Sequence, residues 1–293
     1  MPFHPPSARF RIAKCRHLGR LLARVLVLMA LFALAWPASA YAGAPIPPGS
    51  TARPASDQSL PPAQYLPLVG GSSPYLGHST CHTIPGASFA SLPVLPPPSD
   101  RPAAAHADLN LALRGYEPVE AAKGLIWLDG PTDPLAPRLQ GLFQPQRHPP
   151  ITATYRVNDW DWDCNCRGET LTDPEVTLAA LETAPYETLH VPESGYEIGN
   201  GYEVLVLYAT SDSITLKYTR TDSVVSGYTL HLENICVEES LLALYKTLNA
   251  AGRSELPALV EGQAFARARA DAIHVAIRDT GQFMDPRSYK DWW

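Results

Sequence analysis

Three histidines, a run of alternating aspartates and a Cys-x-Cys pair are the residues of this 293-residue chain whose types and spacing invite chemistry. Asp159-x-Asp161-x-Asp163 has the spacing that opens a calcium loop. Such a loop also needs Gly at its sixth position and a bidentate Glu at its twelfth, where this chain carries Cys164 and Thr170. A solvated strand face accounts for the aspartates without a metal. Trp160 and Trp162 share the parity of the two cysteines and pose a choice between core packing and a platform on which sugar rings stack. His190, His231 and His274 fall on expected strands, where a lone histidine is ordinarily structural. The chain has no His-Glu-x-x-His, no Gly-x-Ser-x-Gly and no phosphate-cradling glycine loop. Asp279 and Glu197 could pair with something, but spacing singles out neither.

The elements that must position these residues are mostly strands. Thr152 to Cys166 alternates: Arg156, Asn158, Trp160, Trp162, Cys164 and Cys166 share one parity, and Tyr155, Val157, Asp159, Asp161 and Asp163 the other. Further strands are expected at Thr188–Val191, Tyr202–Ala209, Ser213–Thr219, Tyr228–Cys236 and Ala272–Arg278, with turn chemistry at Asn200-Gly201 and Thr210–Asp212. Thr172-Asp-Pro-Glu175 reads as a capping box that opens a short helix to about Leu181. Ser240–Ala251 puts Leu241, Leu244, Tyr245 and Leu248 on one helical face and stops at Gly252. Residues 151–293 thus read as a β-rich domain with one inserted α-helix.

The first half is different. Of the 30 prolines, 21 lie between residues 41 and 150 and only 5 after 150, which excludes a single uniform domain. Residues 41–104 read as a Pro-rich linker or extended arm, with His78–Leu95 apolar enough to lie against a domain. Ala105–Arg114 could form a short helix, and residues 105–150 form a turn-rich segment expected to pack on the main domain. Residues 1–40 have the build of a signal peptide. Six basic residues up to Arg24 precede twelve apolar ones from Val25 to Trp36, and Ala38-Ser39-Ala40 follows. Twelve residues span about 18 Å as a helix, short of the roughly 30 Å of a bilayer core. The expectation is a secreted, extracytoplasmic protein with no membrane span after cleavage.

Cleavage changes the charge and leaves four cysteines. The full chain carries 23 basic and 29 acidic residues; without its first 40 residues it keeps 17 and 29, a formal net charge of −12. That balance lacks the basic footprint of nucleic-acid binding. Cys81, Cys164, Cys166 and Cys236 read as two disulfides. With Cys164 and Cys166 judged too close to bond without strain, both remaining pairings tie Cys81 and Cys236 to one place and staple the Pro-rich half to the β-rich half. A soft metal site using His82 or a distant histidine is the competing reading.

From residue 187 the order of segments resembles lysostaphin-type zinc endopeptidases. ETLHVPESGYEI is similar to the strand and turn that open that domain, and GYEVLVLYA with SITLKYTRTD to its paired central strands. LVEGQAFARA resembles its Val-x-x-Gly-Gln turn, and AIHVAIRDTGQFMDPRSY its last strand. The resemblance covers about 185–290 and implies an antiparallel sheet of the lysostaphin-like, duplicated hybrid motif type. In that family His-x-x-x-Asp and the second His of His-x-His hold zinc. Carried over, His274 matches that second His; Ala272 stands where the first would be, and Tyr218-Thr219-Arg220 lacks the further assisting histidine unless His231-Leu232 supplies it. No His-x-x-x-Asp precedes residue 187: His148 is followed at 152 by Thr.

The resemblance therefore implies a degenerate, peptidase-like module with no zinc, which binds wall polymer or an envelope protein. Two alternatives stand beside it. One is an active metallohydrolase whose zinc site is rebuilt from His231, His274 and Asp279 or His190. The other is a sugar-binding protein using Trp160 and Trp162, or a purely structural surface protein.

Overall fold

The computed structural model describes residues 83–95 and 102–293. The chain divides between Gly71 and Ser72, and the described residues belong to the second unit. The signal segment, most of the Pro-rich arm and Cys81 lie outside the described residues.

The fold is mainly β. Its strands are β1 (Ala90–Pro93), β2 (Tyr116–Pro118), β3 (Ile151–Asp161), β4 (Cys166–Thr170), β5 (Leu178–Glu182), β6 (Thr188–His190) and β7 (Val204–Ala209), followed by β8 (Ser213–Lys217), β9 (Tyr228–Glu233), β10 (Ile235–Val237), β11 (Glu255–Leu259), β12 (Ala264–Ala268), β13 (Ala272–Asp279) and β14 (Gln282–Met284). Among the described residues three α-helices accompany them: α1 (Leu111–Arg114), α2 (Glu239–Ala250) and α3 (Tyr289–Trp292). Eleven strands form one sheet in the order β1-β11-β7-β8-β9-β13-β5-β3-β2, with β14 paired to β13 and β4 to β3. A second sheet runs β10-β12-β6. Every strand pair is antiparallel.

The central strands form where β-branched and leucine residues alternate with polar ones. In β8, β9 and β13 one face carries Ile214, Leu216, Leu230, Leu232, Ile273, Val275 and Ile277, all buried in the main core. Full burial of each such side chain contributes roughly 1.5–3 kcal/mol, which fixes the register, since a one-residue slip would turn the whole set outward. α2 lays Leu241 and Tyr245 into the same core beside β11 and β7. Its chain leaves the helix through Gly252, at φ +96°. The described part of the N-terminal half enters the same sheet: β1 extends it beyond β11, β2 extends it beyond β3, and Leu92, Leu109, Leu139, Leu142 and Phe143 join the core.

Two local expectations are corrected. The capping-box segment after Thr172 makes no helix; it turns and runs into β5, which pairs with both β3 and β13. Leu178, Ala179, Ala180 and Leu181 are all buried there, and a position between two strands outweighs a local capping pattern. The alternation from Thr152 also ends early. β3 stops at Asp161, the chain turns over 162–165, and Cys166 begins β4. Asn165 makes that turn at φ +51°. As a result Cys164 and Cys166 bond to each other, with Cα atoms 5.3 Å apart. In a straight strand two residues on one face stand farther apart than this; the hairpin turn draws them together, so the pairing thought too strained is the one that forms. The staple from Cys-x-Cys to Cys81 and Cys236 is excluded with it. Cys236 is itself disulfide-bonded.

Candidate functional site

The second face of the central strands is polar and covered. Ser213, Thr215 and Lys217 on β8 stand opposite Glu233, His231 and Thr229 on β9, and these stand opposite His274, Ala276 and Arg278 on β13. Strand alternation forces this outcome, since the partner parity is the apolar core. Lys217, Thr229, His231 and Arg278 are buried, while Glu233 and His274 are half-buried. The cover is residues 106–118. Leu111 of α1 packs with Val157, Leu178, Ala276 and Phe283. Gly115, at φ +62°, then turns the chain from α1 into β2.

Ion pairs fasten the cover to the sheet. The Asp108 carboxylate accepts from Arg114 at 2.8 Å and from Arg278 at 2.9 Å. The two guanidinium groups lie 5.6 and 4.6 Å from the Phe283 ring centre. They hold the Asp108 carboxyl below its ordinary range against the opposing effect of burial. Arg114 also donates to the carbonyls of Ala107 and Asn158, and Arg278 to that of Gly281. Lys217 donates to the Ser226 and Gly227 carbonyls and to Thr229 Oγ1. Burial, followed by the nearby Arg278 charge, pushes its ammonium down to about 7.

His231 sits in the middle of this row. Thr215 Oγ1 donates to the Leu109 carbonyl at 2.7 Å and lies 3.0 Å from His231 Nδ1. Because the hydroxyl proton is spent on the carbonyl, Nδ1 must be the protonated nitrogen and donate to Oγ1. That leaves Nε2 as a buried lone pair with no hydrogen-bond partner. Burial holds the ring well below its ordinary protonation range, and the charges of Arg278, Arg114 and Lys217 push the same way against Asp108.

At the half-buried end of the row stands a cluster of three titratable groups, Tyr116, His274 and Glu233. Tyr116 Oη lies 2.9 Å from His274 Nδ1, and Glu233 stands opposite His274 on β9. The Tyr116 and Tyr155 rings flank His274 at 5.6 and 5.4 Å. Burial pushes the Glu233 carboxyl up to about 7, against the bond from Tyr116. Burial also raises the Tyr116 phenol and lowers the His274 imidazole.

The histidines singled out from sequence thus separate into two groups. His231 and His274 share one face of one sheet. His190 lies on β6 in the other sheet, lowered by burial, with Nδ1 buried and unpartnered. Asp279 has the opposite parity to His274 and so faces the other way. Among the described residues, the one group that brings three metal-ligating side chains together is Asp161, Cys164 and Cys166; neither His231 nor His274 belongs to it. A zinc site rebuilt from His231, His274 and Asp279 or His190 is not assembled. Trp160 is buried, Trp162 is 41% exposed, and their rings meet edge to face at 6.4 Å. Asp161 Oδ1 caps its own turn by accepting from the amides of Asp163 and Cys164.

Sequence reasoning passed over Tyr116, Lys217, Glu233, Arg278, Arg114 and Asp108. The signal that reveals Lys217, Glu233 and Arg278 is the alternation of SITLK, TLHLE and HVAIR, three neighbouring strands with polar residues on one common parity. No protein-family model matches this chain, and neither a curated protein nor a solved structure does. No helix among the described residues is long and apolar enough to cross a membrane.

Proposed function

We propose that this chain is an exported, non-hydrolytic binding or regulatory protein of the cell envelope or extracellular space, built on a degenerate lysostaphin-like sheet. The observation that carries the reading is the company His231 keeps. Arg114, Arg278 and Lys217 surround His231 beside the Asp108 carboxylate, while His274, the one matched ligand, stands opposite a single carboxyl, Glu233. A divalent cation at His231 would face like charge from three sides, and among the described residues neither histidine belongs to a group of three ligating side chains, the number such a site needs. These neighbours favour the reading without zinc. The signal-like N-terminus and the disulfide-bonded cysteines support export.

The test is the metal content and peptidase activity of the full chain, exported through an oxidising compartment and dialysed without chelator, together with its retention on insoluble wall polymer. Substoichiometric zinc, no cleavage of wall peptides and saturable retention are expected. About one zinc per chain, or peptide release, would overturn the reading. One observation favours a second reading: Tyr116 Oη, 2.9 Å from His274 Nδ1, orients that imidazole as a general base is oriented. Under that reading His274→Ala abolishes cleavage, and under ours there is no cleavage to lose.

A further inference from the structure

The geometry points to a metal site that opens only on reduction: Cys164, Cys166 and Asp161, at the tip of the β3–β4 hairpin, take up a thiophilic divalent cation such as Zn²⁺ once their disulfide is cleaved. One ligand atom from each of the three residues lies within 4.8 Å of the others. Tetrahedral zinc with two thiolates at about 2.3 Å and a carboxylate oxygen at about 2.0–2.2 Å needs ligand atoms about 3.5–3.8 Å apart, with the fourth position left to water. In the cystine the two sulfurs are bonded to each other, and reduction lets them separate to that spacing beside Asp161, on a turn fixed by the bonds Asp161 accepts from the backbone.

Two features separate this pair from a structural cystine. Both cysteines are exposed, and their bond spans a sequence separation of 2. It therefore closes only its own turn and removes little freedom from the unfolded chain. Exposed disulfides are also the readily reduced ones. The surrounding charge then decides between two uses of the dithiol. Asp159, Asp161, Asp163 and Glu169 lie on or beside this hairpin and outnumber Arg167, which follows Cys166; the net negative charge disfavours a free thiolate, which makes a poor thiol–disulfide exchange centre. The same charge attracts a dication, and a bound dication deprotonates both thiols outright.

The steps balance with a dithiol as reductant. It passes two electrons and two protons to the cystine, becoming a cyclic disulfide while the S–S bond opens to two thiols. Zn²⁺ then displaces the two thiol protons. None of this depends on the lysostaphin-like reading, and the two tests are read on different redox states: metal in the oxidised protein bears on that reading, metal in the reduced protein on this one.

The experiment treats the full exported chain briefly with dithiothreitol, removes the reagent anaerobically, counts thiols, and titrates with Zn²⁺ or Cd²⁺. Metal content and the sulfur-to-cadmium ultraviolet band are the readouts. Thiols should rise by two per chain, and one metal should bind the reduced protein but not the oxidised one. Cys164→Ser should abolish uptake. Loss of an outer-shell partner alone weakens metal sites about 10–100-fold, so Asp161→Asn should weaken uptake by at least about tenfold. A thermal melt of each variant checks folding. A cystine that resists dithiothreitol, a reduced protein that takes no metal, or uptake that survives Cys164→Ser would each overturn the proposal.

Discussion

Replacing Glu233 by Gln should make this protein more stable above neutral pH and leave it unchanged in acid. Glu233 sits half-buried beside Tyr116 and His274, with its carboxyl pushed up to about 7 from an ordinary 4.5. Between those two values the native state holds a proton that the unfolded chain has released. Stability therefore falls as pH rises from 4.5 to about 7 and then levels off. At about 1.36 kcal/mol per pH unit, the carboxyl's ionisation costs about 3 kcal/mol by pH 8. Gln keeps the shape and the acceptor for Tyr116 but never ionises. At pH 4 the variant and the parent should match within about 0.5 kcal/mol, an ordinary spread for a neutral substitution. At pH 8 the variant should be more stable by about 3 kcal/mol, or about 6–12 °C in melting temperature for a domain of this size.

The comparison must be a difference, because His190, His231 and His274 are all lowered by burial and impose the opposite slope below pH 6.5. Besides burial, the groups that bear on Glu233 are Tyr116, which lowers it, and the Asp212 carboxylate, which raises it further. Urea unfolding at half-unit steps from pH 4 to 8.5 supplies the two curves. Parallel curves across that range would refute the reasoning, since they would mean that Glu233 ionises in the folded protein as freely as in the unfolded chain.

Asp222→Asn should destabilise the protein by about 3–5 kcal/mol in urea, because it strips the buried Arg253 guanidinium of the carboxylate it meets at 2.5 and 2.8 Å; a loss under 1 kcal/mol would show that the Leu207 carbonyl and Asn249 satisfy Arg253 without it. His231→Leu should change stability little at pH 8 and gain on the parent by about 1.4 kcal/mol per pH unit below 6.5, where the unfolded histidine takes a proton that the buried one refuses; equal acid slopes would place the His231 ring in contact with water. The double variant Cys164→Ser/Cys166→Ser should lower stability by no more than about 2 kcal/mol, the chain-entropy value for so short a loop, and collapse of the fold on losing this bond would show that it does more than close its own turn.

The central strands were legible because burial on one face writes itself as alternation. YEVLVLYA, SITLKYT and AIHVAIR each announce a strand within a residue or two of where one forms, while YTLHLENIC, read as one strand, breaks after Glu233 into β9 and β10, which join different sheets. Ser240–Ala251 announced α2 in the same way, through the spacing of Leu241, Leu244, Tyr245 and Leu248. β5 was not legible: between β3 and β13 it is buried on both faces, so LAAL carries no alternation, and the capping pattern before it pointed to a helix. The cysteine pairing was misjudged for a related reason. Its outcome hangs on whether the chain turns at Asn165 or continues straight, a matter of a single backbone conformation.

Local sequence was therefore enough for the class of the fold, the span and apolar face of α2, and which parity of each central strand is apolar. Which polar side chains meet was decided only by tertiary structure. His231, Thr215 and Leu109 touch because strand register and the path of the cover bring together positions 16 and 106 residues apart. Tyr116 reaches His274 across 158 residues, and Asp108 reaches Arg278 across 170. Periodicity reports which way a side chain faces, because that follows from local backbone geometry. It does not report what waits on the other side, because that depends on the order in which strands pair, and pairing is chosen by the burial energy of the whole sheet.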